Sequence, residues 1–230
     1  MILVRSKKAS REKLLTEHPN AIIADVTSKG ELALKKFSPF YPHGEIPIPF
    51  SDGHYSASVE GVWQGLKVFE GCGIDTSCFT NATMKNLKRT VRKFGKPLGH
   101  QMGINSTQLL DYLNARVFIY LPTYLWMLEN KAQDLIQKLK EKSKDRVLIL
   151  LDYDTNGDVL NVSKPISHAY LLKYFLEGCY PGTEVLSAET PPSILPADKA
   201  STQQSSSKLR TKNKKHSSST KNSQGKLFDF

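Results

Sequence analysis

The chain has 230 residues, of which 39% are hydrophobic and 23% are charged, and this composition excludes a protein that is disordered throughout. Lys and Arg number 32 against 22 Asp and Glu, so the formal net charge is +10. No apolar run reaches about 18 residues and the start MILVRSKKASREK has no apolar signal region, which excludes a spanning helix and argues against secretion. Cys72, Cys78 and Cys179 are odd in number and lack metal-ligand spacing, so we expect reduced thiols in the cytoplasm.

The composition changes near Leu186, which divides the chain into three parts. Residues 1–186 have the mixed composition of a globular domain. Residues 187–223 begin with the Pro-rich SAETPPSILPADK and continue as a Ser- and Lys-rich stretch, which we expect to be a disordered linker because it has too little apolar surface to bury. Residues 224–230, QGKLFDF, reverse this trend with three large apolar side chains.

The hydrophobic patterns of residues 1–186 predict an α+β (or α/β) fold, a mainly helical single domain with a small sheet, followed by the disordered tail. AIIADVTS (21–28) and RVLILLDY (146–153) are predicted to be buried strands. The stretch 37–55 contains four prolines and two glycines, which predict a long structured loop with two short strands. Helices are predicted at Arg11–Glu17, 58–70, 83–94, 106–119, 123–143 and 165–177, with the fourth and fifth meeting at Pro122.

The predicted helix 58–70 carries a line of polar residues. Ser58 is its expected N-cap, and Glu60, Gln64 and Lys67 follow one another at i, i+4 and i+7, with Trp63 beside them. This spacing is also typical of a helix face that points to solvent. The opposite face is expected in the core: Val59, Val62, Leu66 and Phe69. Two glycines inside this helix cost about 1 kcal/mol each relative to Ala, so we expect a backbone or a ligand to approach Gly61 and Gly65 closely.

The order of these motifs resembles the NADAR family, the YbiA-like N-glycosidases. The resemblance rests on FSPFYP (37–42), Gly53 and Tyr55, Ser58-Val59-Glu60, then Gln64 and Lys67. It continues more weakly to LLKYFLEG (171–178) and covers roughly residues 36–178. Gly61 stands where that family has His, and no Trp-Gly follows Asp154 or Asp158. The whole pattern is closer to a bacterial and phage family without an established activity.

The resemblance implies cleavage of an N-glycosidic bond in a ribose-phosphate compound, without a metal or another cofactor. An oxocarbenium-like transition state needs a carboxylate, a positioned water and cations for the phosphates. Glu60 is the candidate carboxylate, and the candidate substrate-binding residues are Trp63, Gln64, Lys67, Arg89 and Arg92. The two arginines belong to the predicted helix 83–94, whose basic side is also typical of a solvated cationic face.

DYDTNGD (152–158) follows the predicted strand 146–153 and has two interpretations. It begins like a calcium loop, but Ser163 occupies the twelfth position in place of the bidentate Glu, which argues against calcium. Alternatively, Asp152 or Asp154 supplies a second catalytic carboxylate at the carboxyl end of the strand. An Asx-rich turn without chemistry would have the same sequence.

The C-terminal peptide resembles the peptides that bind sliding clamps. Gln224, Leu227 and Phe230 stand at positions 1, 4 and 7, with Phe228 between the last two. Such a peptide inserts Leu and an aromatic ring into an apolar pocket. Residues 198–230 carry eight basic and two acidic side chains, which would add non-specific attraction to DNA.

These features favour an enzyme that removes ADP-ribose or a related glycosyl adduct from nucleobases in DNA, associated with the nucleoid through a replication clamp. Two alternatives remain. The chain could be a non-catalytic clamp- or DNA-binding adaptor of a phage or bacterial replication or transcription complex. It could also be a metabolic N-glycosidase acting on a free ribosyl phosphate, but the clamp-like tail argues against a small diffusible substrate.

Overall fold

The structure is a computed structural model that describes residues 1–186 and the backbone of Ile194–Leu195. The predicted linker, except for those two residues, and the predicted clamp-binding peptide lie outside the described residues. The helices are α1 Arg11–Glu17, α2 Val59–Gly65, α3 Ser77–Thr80, α4 Val91–Phe94, α5 Tyr112–Ala115, α6 Leu121–Lys131, α7 Gln133–Lys142 and α8 His168–Glu177. The strands are β1 Ile2–Ser6, β2 Ile22–Asp25, β3 Ile46–Pro47, β4 Tyr55–Ser56, β5 Lys67–Phe69, β6 Pro97–Gln101, β7 Leu109–Leu110, β8 Leu148–Asp152 and β9 Ile194–Leu195. The predicted α+β class is confirmed.

A three-stranded parallel sheet with the order β1-β8-β2 forms one part of the domain. The central strand β8 is a continuous apolar run because neighbours cover it on both edges and its faces are packed; Leu148, Ile149 and Leu150 are all buried. Helix α8 packs against β1 and β8. Since the three strands are parallel, their carboxyl ends lie together, which brings Asp25 and Asp152 to the same end of the sheet.

Helix α2 is held tightly against α3 and β4. The Ser58 hydroxyl accepts the backbone N–H of Gly61 at 2.9 Å, which confirms the predicted N-cap. A side chain at Gly65 would overlap the ring of Phe79, and one at Gly61 would meet the hydroxyl of Ser56. The two glycines therefore permit the close backbone approach that their cost in a helix led us to expect. The predicted core residues Val59, Val62, Leu66 and Phe69 are all buried, although the last two follow the end of α2.

The predicted helix 58–70 is too long, because α2 ends at Gly65. The Gly65 carbonyl accepts the backbone N–H of Asp75 at 2.8 Å instead of continuing the helix. The chain then forms β5, which pairs antiparallel with β6 in a second sheet of order β5-β6-β7-β9. Lys67 is therefore on a strand and not on the third turn of a helix.

The predicted helix 83–94 is wrong except at its end, where Val91–Phe94 forms the single turn α4. Met84 and Asn86 have left-handed backbones, with φ of 59° and 58°, which a right-handed helix cannot contain. The backbone N–H of Arg89 donates to the side chain of Gln64 at 3.0 Å rather than to a helical carbonyl. Tertiary contacts thus override the apolar spacing of this segment.

The predicted helix break at Pro122 is also misplaced. Leu109–Leu110 is a strand, and helical structure then runs from Tyr112 through a π-helical turn at Arg116–Tyr120 into α6. Pro122 follows that π turn, where the ordinary i to i−4 bonding is already interrupted, so its missing N–H is tolerated. The break falls at Ala132, between α6 and α7. In the described part of the chain, no helix is both long and apolar enough to cross a membrane.

Candidate active site

The polar line of α2 is buried rather than exposed to solvent. Glu60 is 7% exposed and Gln64 is 6% exposed. The Gln64 amide nitrogen donates to Glu60 Oε1 at 2.8 Å, and its oxygen accepts from Lys67 Nζ at 3.2 Å and from the Arg89 backbone. The solvent-facing interpretation of this spacing is therefore wrong. A buried carboxyl group and a buried amide that are hydrogen-bonded to a half-buried ammonium are costly to desolvate, and such groups concentrate at functional sites.

Burial raises the pKa of Glu60, because the carboxylate form loses hydration. The hydrogen bond from Gln64 opposes this rise in pKa, and so do the positive charges of Lys67, Lys88 and His168. Burial also lowers the pKa of Lys67, against which the charge of Glu60 acts. A carboxyl group whose pKa lies above its usual range can both accept and release a proton, as a general acid or base must.

Trp63 lies beside this chain, as the helical spacing predicted. Its ring is stacked on His100 with the ring centroids 3.8 Å apart, and the Lys67 ammonium lies 5.8 Å from its centroid. His100 is buried, and neither of its ring nitrogens has a hydrogen-bond partner among the described residues. Burial holds the pKa of His100 well below its usual range, so the ring under Trp63 is neutral.

Asp152, a predicted catalytic carboxylate, is bound within the protein at the end of β8. Its Oδ2 lies 3.0 Å from His168 Nδ1 and accepts the Ser167 hydroxyl at 2.7 Å. The other ring nitrogen of His168 is 2.9 Å from the Val26 carbonyl oxygen. Burial alone would raise the pKa of Asp152, but the charge and hydrogen bond of His168 lower it. The sequence alone did not point to His168. Its one local signal is that His168 is the first residue of α8, directly after the N-cap.

Asp154, the other predicted carboxylate of the loop, is exposed. Partial desolvation and the negative charge of Asp152 raise its pKa, against the positive charges of Lys88 and His168. Lys88 and His168 also act on the pKa of Glu60. The same two cations, Lys88 and His168, therefore lower the pKa of both Glu60 and Asp154, although the two carboxyl groups are far apart in the sequence.

The two predicted arginines do not have equivalent positions. Arg89 is buried, and its two terminal nitrogens donate to the carbonyls of Lys67 and Gly73 and to Cys72 Sγ at 3.1 Å, whereas its Nε has no partner among the described residues. Arg92 is exposed on α4. The cation that acts on Glu60 from this segment is Lys88, which the sequence did not single out from its neighbours. The Lys88 ammonium lies 5.7 Å from the centroid of Phe40, in the predicted loop 37–55.

Other candidate features of the described region are separate from this cluster. Asp25 is paired with Lys7 and accepts the Thr27 hydroxyl at 2.7 Å. Among the described residues, no group of three His, Cys, Asp or Glu side chains is arranged to hold a metal ion. A surface depression near the β5–β6 edge shares no residue with the Glu60 cluster; it is lined by Glu70, Phe94, Gly95, Lys96, Pro97 and Leu98.

Fold and site together define an α+β protein in which α2 and β5 carry a hydrogen-bonded acid-amide-lysine chain and a parallel sheet ends in a buried Asp-His pair. Residues 6–172 match the model of a family described as a family of unknown function (DUF6939), and the chain belongs to that family. The matched range includes Glu60, Asp152, Asp154 and His168 and ends before the Pro-rich segment. Neither a curated protein nor a solved structure matched the chain. The resemblance to NADAR N-glycosidases stays a prediction.

Proposed function

We propose that the protein hydrolyses an N-glycosidic bond and that it removes ADP-ribose or a related glycosyl adduct from nucleobases in DNA. The observation that carries this proposal is the buried carboxyl group of Glu60, held by Gln64 and flanked by Lys67 and Lys88. Such a group is expensive to bury, and perturbed acids beside cations concentrate at catalytic sites.

In the proposed reaction, the bond between the ribose carbon and the base nitrogen breaks, and its electron pair leaves with the base. The Glu60 carboxylate accepts a proton from a water molecule as the water oxygen bonds to the sugar carbon. That proton is then available to the departing nitrogen, so the net change is addition of one water across the bond. The raised pKa of Glu60 suits this exchange, because proton transfer in both directions needs a pKa near the working pH.

The remaining residues of the cluster have distinct proposed roles. The ammonium groups of Lys67 and Lys88 bind the diphosphate, and Trp63 offers a ring face beside them. Asp154 is the proposed second carboxylate, which stabilises the developing positive charge on the sugar. Asp152 acts through His168, whose charge it fixes near Glu60, and so it is a positioning residue in this proposal.

The test is release of ADP-ribose from a DNA oligonucleotide that carries ADP-ribosylated guanine, followed by mass spectrometry. Glu60→Gln keeps an oxygen that can accept the Gln64 hydrogen bond but cannot take a proton, and we expect it to lower kcat by about 10²- to 10⁴-fold. Glu129→Gln is the matched control, because Glu129 is an exposed carboxylate on α6. Equal rates for Glu60→Gln and the wild type would refute the role of Glu60, and absence of release by the wild type would refute this substrate.

The clamp-binding prediction is proposed separately, because Gln224, Leu227, Phe228 and Phe230 lie outside the described residues. A chain lacking residues 227–230 should lose binding to a sliding clamp and keep the release of ADP-ribose from free oligonucleotides. If the deletion abolishes function in cells while Glu60→Gln has no effect, the non-catalytic adaptor is the better explanation.

A further inference from the structure

Residues 85–96 cover the edge of the second sheet, and three side chains anchor them there. Leu87 is buried, and the Arg89 guanidinium reaches the carbonyls of Lys67 and Gly73. Phe94 packs on Phe69 with the ring centroids 5.2 Å apart. Because the segment is fixed at three points, the side chains between these anchors have defined positions on the surface.

Cationic side chains between and beside these anchors are exposed. No Asp or Glu occurs from residue 76 to residue 110, a stretch that contains six Lys or Arg residues. All except Arg89 are exposed, and we call these five side chains the cationic ridge: Lys85, Lys88, Arg92, Lys93 and Lys96. Within residues 1–186, none of the five forms an ion pair with a carboxylate. Five neighbouring cations without acids repel one another unless an external polyanion neutralises them.

The cationic ridge is connected to the candidate active site. The backbone N–H of Arg89, the residue after Lys88, donates to Gln64 at 3.0 Å, and Gln64 donates to Glu60 Oε1 at 2.8 Å. At the other end of the ridge, Lys96 borders a depression that Phe94, Pro97 and Leu98 line together with the carboxylate residue Glu70. Alternation of cations with apolar surface is suited to a nucleic acid strand, whose phosphates are charged and whose bases and sugars have apolar faces.

We propose that the cationic ridge is a nucleic-acid-binding surface that holds the phosphates of a DNA strand and leads the strand to Glu60. This proposal deepens the proposed function, on which it rests for the direction of the strand, because it names the surface that binds the DNA backbone. Binding itself requires no chemistry at Glu60.

The experiment measures binding of the full-length chain to a fluorescent DNA oligonucleotide of about 20 nucleotides, single-stranded and duplex, by anisotropy between about 50 and 200 mM salt. One variant combines Lys85→Gln, Arg92→Gln, Lys93→Gln and Lys96→Gln; it keeps Lys88, which the proposed function assigns to the active site. The matched control removes the same charge from exposed lysines of the α7 region: Lys138→Gln, Lys140→Gln, Lys142→Gln and Lys144→Gln. The basic residues of 198–230 are present in every chain, so their contribution cancels.

Each phosphate contact contributes about 0.7 (single strand) to 0.9 (duplex) to the slope of log K against log salt concentration, so losing four contacts should lower that slope by about 3. We expect this loss for the ridge variant and a change below about 1 for the control, with equal thermal unfolding for both. Equal slopes for the two variants would overturn the proposal. Glu60→Gln should bind DNA like the wild type. The binding assay therefore tests the cationic ridge independently of the catalytic proposal for Glu60.

Discussion

Replacing Asp152 with Asn tests the buried pair at the end of β8. His168 lies between Asp152 Oδ2, 3.0 Å from Nδ1, and the Val26 carbonyl oxygen, 2.9 Å from Nε2. The Val26 carbonyl oxygen only accepts hydrogen bonds, and so does the Asp152 carboxylate, whose pKa is lowered. Both acceptors favour the imidazolium form of His168, in agreement with its raised pKa. Asp152→Asn keeps the shape of the side chain and removes the negative charge, which leaves a buried cation without its partner.

The expected cost follows from this geometry. Removing one partner of a buried ion pair costs about 3–5 kcal/mol, because the remaining charge is uncompensated. The Ser167 hydroxyl, which caps α8 and donates to Asp152 Oδ2 at 2.7 Å, loses its charged acceptor as well. With about 2–4 °C lost per kcal/mol for a domain of this size, the Tm should fall by about 6–20 °C. His168→Gln in the same chain should recover part of the loss, because no unpaired imidazolium remains.

The loss of unfolding free energy caused by Asp152→Asn should depend on pH, and each partner of the pair determines one side of that dependence. The pKa of Asp152 is lowered from its ordinary 3.8, so its contribution is present above that value and is lost as the pH falls through the lowered pKa. The pKa of His168 is raised from 6.5, so its contribution is complete below 6.5 and is lost as the pH rises through the raised pKa. The stability difference between wild type and Asp152→Asn should therefore be largest between these two ordinary values and smaller in alkali.

Urea denaturation followed by circular dichroism at about pH 6 and about pH 9 measures this difference. Asp145→Asn is the control, since this exposed residue precedes β8, and it should change the free energy of unfolding by less than about 0.5 kcal/mol. A cost below about 1 kcal/mol for Asp152→Asn, or a cost that does not fall in alkali, would contradict the imidazolium assignment.

Three further substitutions have expected outcomes in the same unfolding assay. Because burial raises the pKa of Glu60, its charged form destabilises the fold as the pH rises through that raised pKa. Glu60→Gln should therefore be more stable than the wild type by on the order of 1 kcal/mol in alkali and equally stable in acid. A loss of stability that is the same at every pH would contradict this reasoning. His100→Phe removes two buried nitrogens without partners, each costing about 1–3 kcal/mol, so the variant should be at least as stable as the wild type; a Tm lowered by more than about 5 °C would indicate a bond that the ring makes after all. Gly65→Ala should lose about 1–3 kcal/mol because the added methyl group overlaps the ring of Phe79, and Phe79→Leu in the same chain should relieve the loss; no relief would contradict the overlap.

Several features of this protein follow from local sequence. The continuous apolar run that becomes β8 can be buried only as a strand that is covered on both sides. Its own residues are therefore sufficient to predict β8. Ser58 and the periodic apolar residues after it define the start and the core face of α2 for the same reason, since capping and amphipathic spacing act within a few residues. The α+β class follows from the mixture of such patterns.

The site depends on contacts that no local pattern contains. Glu60 and Gln64 have the spacing of a solvent-facing stripe, and only the packing of α2 under the segment that carries Arg89 makes them a buried chain. The same contact explains why residues 83–90 are not a helix: the Arg89 backbone and guanidinium gain hydrogen bonds to Gln64 and Lys67 that outweigh the helical preference of the segment. Burial and charge pairing depend on residues that are distant in sequence. The tertiary structure alone therefore decides the pKa values and the hydrogen-bond partners at the site.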